Sequence, residues 1–188
     1  MPANLIETMS DPIDLALVSA GRLHPANWDP GWVAAQALSK IAQGTSSAGE
    51  VIRALTEVVR TGHPYRRAAA ANALGAFGPA AVGAVPALID ELKKIVPTPA
   101  ALADGHWAAT ALGKIAPGTP VADEAVSSLT EALGAASEYT RRQAINALLC
   151  FGPKAAVSVP RIRALINDPH AAVRSVAAMA LTELEAPE

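Results

Sequence analysis

An apolar stripe of fixed spacing returns five times along this chain: Ala, two residues, Ala-Leu, two residues, then a large apolar side chain. It reads Ala34–Ala37–Leu38–Ile41, Ala70–Ala73–Leu74–Phe77, Ala108–Ala111–Leu112–Ile115, Ala144–Ala147–Leu148–Phe151 and Ala177–Ala180–Leu181–Leu184. Spacing of i, i+3, i+4, i+7 puts all four side chains on one face of an α-helix. The leucines follow one another at 36, 38, 36 and 33 residues. That period predicts an all-α chain whose helical hairpins stack into an α-solenoid.

Between the stripes runs a second set: Ile52–Leu55–Val59, Val85–Leu88–Ile89–Leu92, Val126–Leu129–Leu133 and Val159–Ile162–Leu165–Ile166. Each unit therefore resolves into helix A, carrying the Ala-Leu stripe, and helix B. Gly-Thr (Gly44-Thr45, Gly118-Thr119) or Gly-Pro (Gly78-Pro79, Gly152-Pro153) closes helix A, because glycine ends helices and proline opens them. Pro86 and Pro160 fall in the first turn of helix B, where a missing N–H costs nothing. The two connector types alternate, and the second unit superposes on the fourth at a shift of 74 residues, Tyr65 on Tyr139, Arg67 on Arg141 and Asn72 on Asn146. A two-unit block has been duplicated.

The ends are irregular. Ile13, Ala16, Leu17 and Ala20 share a helical face, but Leu17 precedes Leu38 by only 21 residues, too few for a full unit. Residues 1–27 are expected to be a capping helix and connector, and 28–188 the stack. Its units lie near 28–64, 65–99, 104–137 and 138–168, with an incomplete fifth at 169–188.

Composition narrows the function classes. Half the chain is hydrophobic (51%) and only 4% aromatic, so the core is built from Ala, Leu, Val and Ile. A net charge of −2 gives no global attraction to nucleic acid or anionic lipid. A single cysteine excludes an internal disulfide. Glu7, Asp11 and Asp14 interrupt the apolar residues of the first twenty positions, unlike a secretory signal. No apolar run approaches the roughly 20 residues of a membrane span. A cytoplasmic protein with no membrane association is the expectation.

The segment Asn167-Asp168-Pro169-His170-Ala171-Ala172-Val173-Arg174, running into Val176 to Leu181, resembles the HEAT-repeat family. More narrowly it resembles the short bacterial HEAT-like repeats also found in phycobilisome lyases, as does the Gly78-Pro79 to Leu88 connection. The resemblance spans about 28–185 and implies a scaffold or adaptor that binds another protein. Its subtype suggests an alternative, an accessory of the bilin-lyase or chaperone type; HEAT-like nucleic-acid binders are a further one, against which the net charge and the scarcity of lysine argue. Gly31 and Gly105 depart from the pattern, standing where Arg67, Arg141 and Arg174 stand in the other units.

Chemistry-bearing patterns are scarce. His24, His63, His106 and His170 hold no metal-ligand spacing with one another or with Cys150, and no phosphate loop occurs. No catalytic residue, cofactor site or metal site is predicted, and Cys150 reads as a small buried side chain. Asn72 and Asn146 are expected to tie helix A to a neighbouring loop. The helix A entrances are richer: Trp28, Trp32, Tyr65, His106, Trp107 and Tyr139 gather there with Arg66, Arg67, Arg141, Arg142 and Arg174. Equivalent positions of a solenoid line one edge, and aromatic plus arginine composition is what interface hot spots favour. This edge is the candidate partner surface. The ordinary explanation is that the arginines bridge to acidic residues on adjacent repeats and the aromatics fill gaps between repeats. Helix B offers the other surface, with Arg53, Glu57, Asp90, Lys93, Asp123, Glu131, Arg161 and Arg163 in mixed sign.

Overall fold

A computed structural model describes residues 30–94 and 105–185. Its helices are α1 (Pro30–Ala42), α2 (Ala48–Thr61), α3 (Pro64–Ala76), α4 (Val85–Lys93), α5 (His106–Ile115), α6 (Ala122–Ala132), α7 (Glu138–Leu149), α8 (Val159–Ala164) and α9 (Ala171–Leu184). The expected capping helix near residues 13–21 and the turn at 96–99 lie outside the described residues.

Helices α1, α3, α5, α7 and α9 pack successively against one another as a row of A helices, and α2, α4 and α6 form the B row beside them. The core lies between the rows. Leu74, Leu112, Leu148 and Leu181 of the A row and Leu88, Leu129 and Ile162 of α4, α6 and α8 are all buried in it. Thr130 and Ser158 join adjacent units of the B side through hydroxyls 2.7 Å apart.

The alternation of connectors is exact in backbone terms. Gly44 and Gly118 both sit at φ 73°, and Gly78 and Gly152 both at φ 55°, each pair separated by 74 positions. Left-handed φ is free of Cβ strain only in glycine, which fixes these four turns. After α1 and α5 the threonine of Gly-Thr folds back, its Oγ1 donating to Ala42 O at 2.8 Å and to Ala116 O at 2.6 Å. After α3 and α7 the Gly-Pro step enters a 3-10 stretch, Gly78–Ala84 and Gly152–Ser158, that runs into the proline-bearing first turn of helix B.

One stripe departs from expectation. In α1 the buried side chains are Trp32, Ala35, Ser39 and Ala42, whereas Leu38 is 45% and Ile41 74% exposed. In α5 and α7 the stripe faces the A helix before it: a Cβ on Gly75 would touch Ala111, and one on Gly113 would touch Ala147. No described helix precedes α1, so its stripe faces outward.

The candidate interaction edge

Because the A helices run side by side with a complete hairpin between each pair, their N-termini share one edge. Trp28 lies outside the described residues; the other candidates divide into those spent on the fold and those left accessible.

Trp32 is buried at 7% exposure and is withdrawn from the edge. Its ring meets Trp107, two units along, at 4.8 Å in a T-shaped contact, the geometry that the aromatic quadrupole favours. Trp107 is half-buried, and its indole Nε1 is buried without an acceptor among the described residues.

Arg67 and Arg141 are withdrawn for a different reason. Arg67 Nε donates to Glu91 Oε1 and Oε2 at 2.9 and 2.8 Å, and its Nη1 donates to Gly62 O at 3.0 Å. Arg141 makes a forked pair with Asp168, Nε to Oδ2 at 2.7 Å and Nη2 to Oδ1 at 2.9 Å. Its Nη1 donates to Ala135 O and Ala136 O at 2.8 and 2.9 Å. Each arginine thus binds the turn entering its unit to the far end of the same unit. The expected bridge exists, but within one repeat rather than between repeats. Asp168 is further fixed by the His170 backbone N–H at 2.8 Å. The Arg141 hydrogen bonds, and after them that N–H, lower its pKa from 3.8 to about 2 against the opposing effect of burial. Arg174 is exposed, yet its Nη1 donates to Asp168 O at 2.8 Å and Pro169 O at 3.0 Å. Gly105 explains why the third unit has no such arginine: even a Cβ there would stand 3.0 Å from Leu92 Cα.

The accessible remainder is compact. Tyr139 is 39% exposed, the Arg142 guanidinium stands over its ring at 5.5 Å, and His106 of the preceding unit lies 6.2 Å away. His106 also packs on Trp107 at 4.8 Å, so half-buried Trp107, itself against buried Trp32, backs the cluster. In the second unit Tyr65, half-buried, stacks on exposed His63 at 5.7 Å, and half-buried Arg66 follows it in sequence. His170 extends the edge beyond Tyr139, its Nε2 2.7 Å from Glu138 Oε2. Sequence reading named neither His63, His170 nor Glu138 for this edge; each sits in the turn before helix A or at its first residue, one step outside the region considered.

The B row is exposed at every charged position named above. Several of these charges pair across units: Lys93 with Glu131 at 3.6 Å, Lys154 with Asp123 at 2.6 Å, and Arg161 with Thr130 O at 3.1 Å. Arg163 pairs with Glu185. Exposed pairs of this kind are worth about 0–1 kcal/mol each.

Two smaller expectations are corrected. Cys150 is exposed, not buried, because it follows the stripe residue Leu148 on the outward side of α7; its thiol lies 3.6 Å from Asn146 O. Asn146 is half-buried and donates through Nδ2 to Gln143 Oε1 at 3.3 Å on its own helix rather than to a loop. Among the described residues no group of three or more His, Cys, Asp or Glu side chains could hold a metal, and no helix is long and apolar enough to cross a membrane.

Comparison with known proteins agrees with the architecture. Residues 126–188 match the family model for HEAT repeats. No curated protein matches the sequence. The crystal structure of an engineered protein from the Northeast Structural Genomics Consortium is similar with a TM-score of 0.60 at 20% identity, covering 96% of this chain and 76% of that chain. A designed armadillo repeat protein in complex with the peptide (KR)4 is similar with a TM-score of 0.58 at 19% identity, covering 90% of this chain and 84% of that one. At such identities the likeness is one of fold: this chain is an α-solenoid, with sequence of the HEAT-repeat kind over residues 126–188.

Proposed function

We propose that the chain is a non-enzymatic protein–protein interaction scaffold, cytoplasmic, that binds its partner along the edge formed by the A-helix entrances. The observation that carries this is the Tyr139–Arg142–His106 cluster, an exposed aromatic with a cation over its face and an imidazole beside it, backed by half-buried Trp107. Tyr and Arg supply much contact area and directional donors on a rigid base, the composition of hot spots. Tyr65 with Arg66 forms a second contact point, and Arg174 continues the row. A protein or peptide partner also suits the similar designed armadillo repeat protein, which was solved with a peptide.

The test compares the purified chain with a Tyr65→Ala/Tyr139→Ala/Arg142→Ala variant as baits in lysate of the source organism, after circular dichroism has shown equal helicity. These residues lie outside the core, so the variant keeps its fold. A defined protein held by the first bait and weakened about tenfold or more by the substitutions is the expected result, since hot-spot truncations cost 2 kcal/mol or more. Equal capture by both baits overturns the edge in favour of the B row. A co-purifying pigment would turn the reading toward a bilin-handling accessory, and binding to duplex DNA that falls steeply with salt would turn it toward nucleic acid.

A further inference from the structure

Carboxylates are scarce where the A helices begin. Glu50 opens α2, and Asp123 and Glu124 open α6, both in the B row, whereas α1, α3, α5 and α9 have no acidic residue in their first turn. Of the A helices α7 alone has one, and its Glu138 is engaged by His170 Nε2 at 2.7 Å. Cations stand there instead: Arg66 and Arg174 in the first turns of α3 and α9, and Arg142 one step further along α7. Among the described residues no carboxylate pairs with any of the three. Arg174 gives its Nη1 to the Asp168 and Pro169 carbonyls, and Arg142 meets the Tyr139 ring. Elsewhere cations are answered: Arg67 by Glu91, Arg141 by Asp168, Lys93 by Glu131, Lys154 by Asp123 and Arg163 by Glu185. The unanswered arginines thus gather on one edge of a chain whose net charge is −2.

A cation in the first turn of a helix opposes the macrodipole, whose positive end lies there. A carboxylate from outside relieves that repulsion and accepts the short, charge-assisted hydrogen bonds that guanidinium forks favour. Neighbouring A helices stand about 10 Å apart, the ordinary packing distance, which about three residues of extended chain span. Building on the partner edge proposed above, we propose that its occupant is an extended acidic peptide segment, crossing the helix starts from Arg66 on α3, over His106 and Tyr139, to Arg142 on α7 and Arg174 on α9. Its carboxylates fall at multiples of about three residues, one step for each helix crossed. Nucleic acid suits the edge less well, because a phosphate backbone calls for a continuous basic stripe, and α5 contributes no arginine to this row.

Fluorescence anisotropy on the full chain tests this with two labelled peptides, one of four Glu-Ser-Ser triplets and one of four Lys-Ser-Ser triplets. The variants are Arg66→Gln/Arg142→Gln and the charge-reversed Arg66→Glu/Arg142→Glu, each checked for native helicity. The native chain should bind the glutamate peptide at least about tenfold more tightly than the lysine peptide, and less tightly as salt rises. The glutamine substitutions should remove at least about tenfold of that affinity, and charge reversal should turn the preference toward lysine. Equal binding of the two peptides, binding of neither, or a preference that survives charge reversal overturns the proposal. So does a duplex DNA oligonucleotide that outcompetes the glutamate peptide. The edge itself stands or falls separately: a lysate partner lost from the Tyr65→Ala/Tyr139→Ala/Arg142→Ala bait, without any preference for glutamate, overturns only the acidic occupant, whereas equal capture by both baits overturns the edge.

Discussion

Arg141 and Asp168 are both nearly out of contact with water, with side-chain exposures of 9% and 3%. Two such charges gain little net stability as a pair, but removing either leaves the other buried and uncompensated, a loss of about 3–5 kcal/mol. Asp168→Asn should therefore lower the free energy of unfolding by about 3 kcal/mol in urea titrations. The pair also sets an acid limit. The Asp168 pKa falls from 3.8 to about 2 on folding, so its contribution is complete above pH 4 and is lost as pH falls from about 4 toward 2. The native chain should lose stability across that window, and Asp168→Asn should flatten this part of the profile. The arginine positions were legible in the sequence, since Arg67 and Arg141 coincide at the 74-residue shift. Their partners were not: Glu91 lies on α4 while Asp168 lies in the turn before α9, and no repeat alignment brings those two acids together.

Between elements, the A row depends on how closely its backbones approach. A Cβ on Gly113 would stand 2.8 Å from Ala147 Cα and 2.9 Å from Ala147 Cβ, so α5 and α7 could not keep their separation. At Gly75 the nearest approach, to Ala111 Cα, is 3.3 Å. Alanine gains about 1 kcal/mol over glycine in a helix interior, and overpacking costs about 1–3 kcal/mol. Gly113→Ala is expected to destabilise by up to about 2 kcal/mol, while Gly75→Ala stays near neutral; chemical denaturation midpoints distinguish the two. At this scale the sequence was most readable. Helix A and helix B stripes, the Gly-Thr and Gly-Pro endings and the prolines of the first turns all report local backbone requirements, and local requirements leave local signatures. The orientation of α1 left none, because its stripe is identical in kind to the others and only the presence of a neighbour decides whether it is covered. Cys150 fails for a related reason: spacing tells which residues share a face, and position 150 lies one step off it.

For the molecule as a whole, the expectation of stacked hairpins rests on the period and holds across the described residues. The partner edge was legible only as a collection of residue types. Aromatics and arginines at helix entrances include both those that build the stack and those that remain on its surface, and burial alone separates Trp32 and Arg141 from Tyr139 and Arg142. Repeat stacks are ordinarily described by nearest-neighbour terms, in which hairpins open one after another from either end. The Trp32–Trp107 contact breaks that scheme, since it reaches past α3 to join the first unit to the third. Fraying of α1 therefore has to release a clasp held two units away, and the first three units should unzip as a single block. Trp32→Ala should uncouple them: in native-state hydrogen exchange the amides of α1 and α2 should then open at lower denaturant than those of α5, whereas in the native chain they open together. A clasp of this reach makes the unit of cooperativity longer than the unit of sequence, and that keeps the aromatic edge beside it rigid even where the stack is nearest its end.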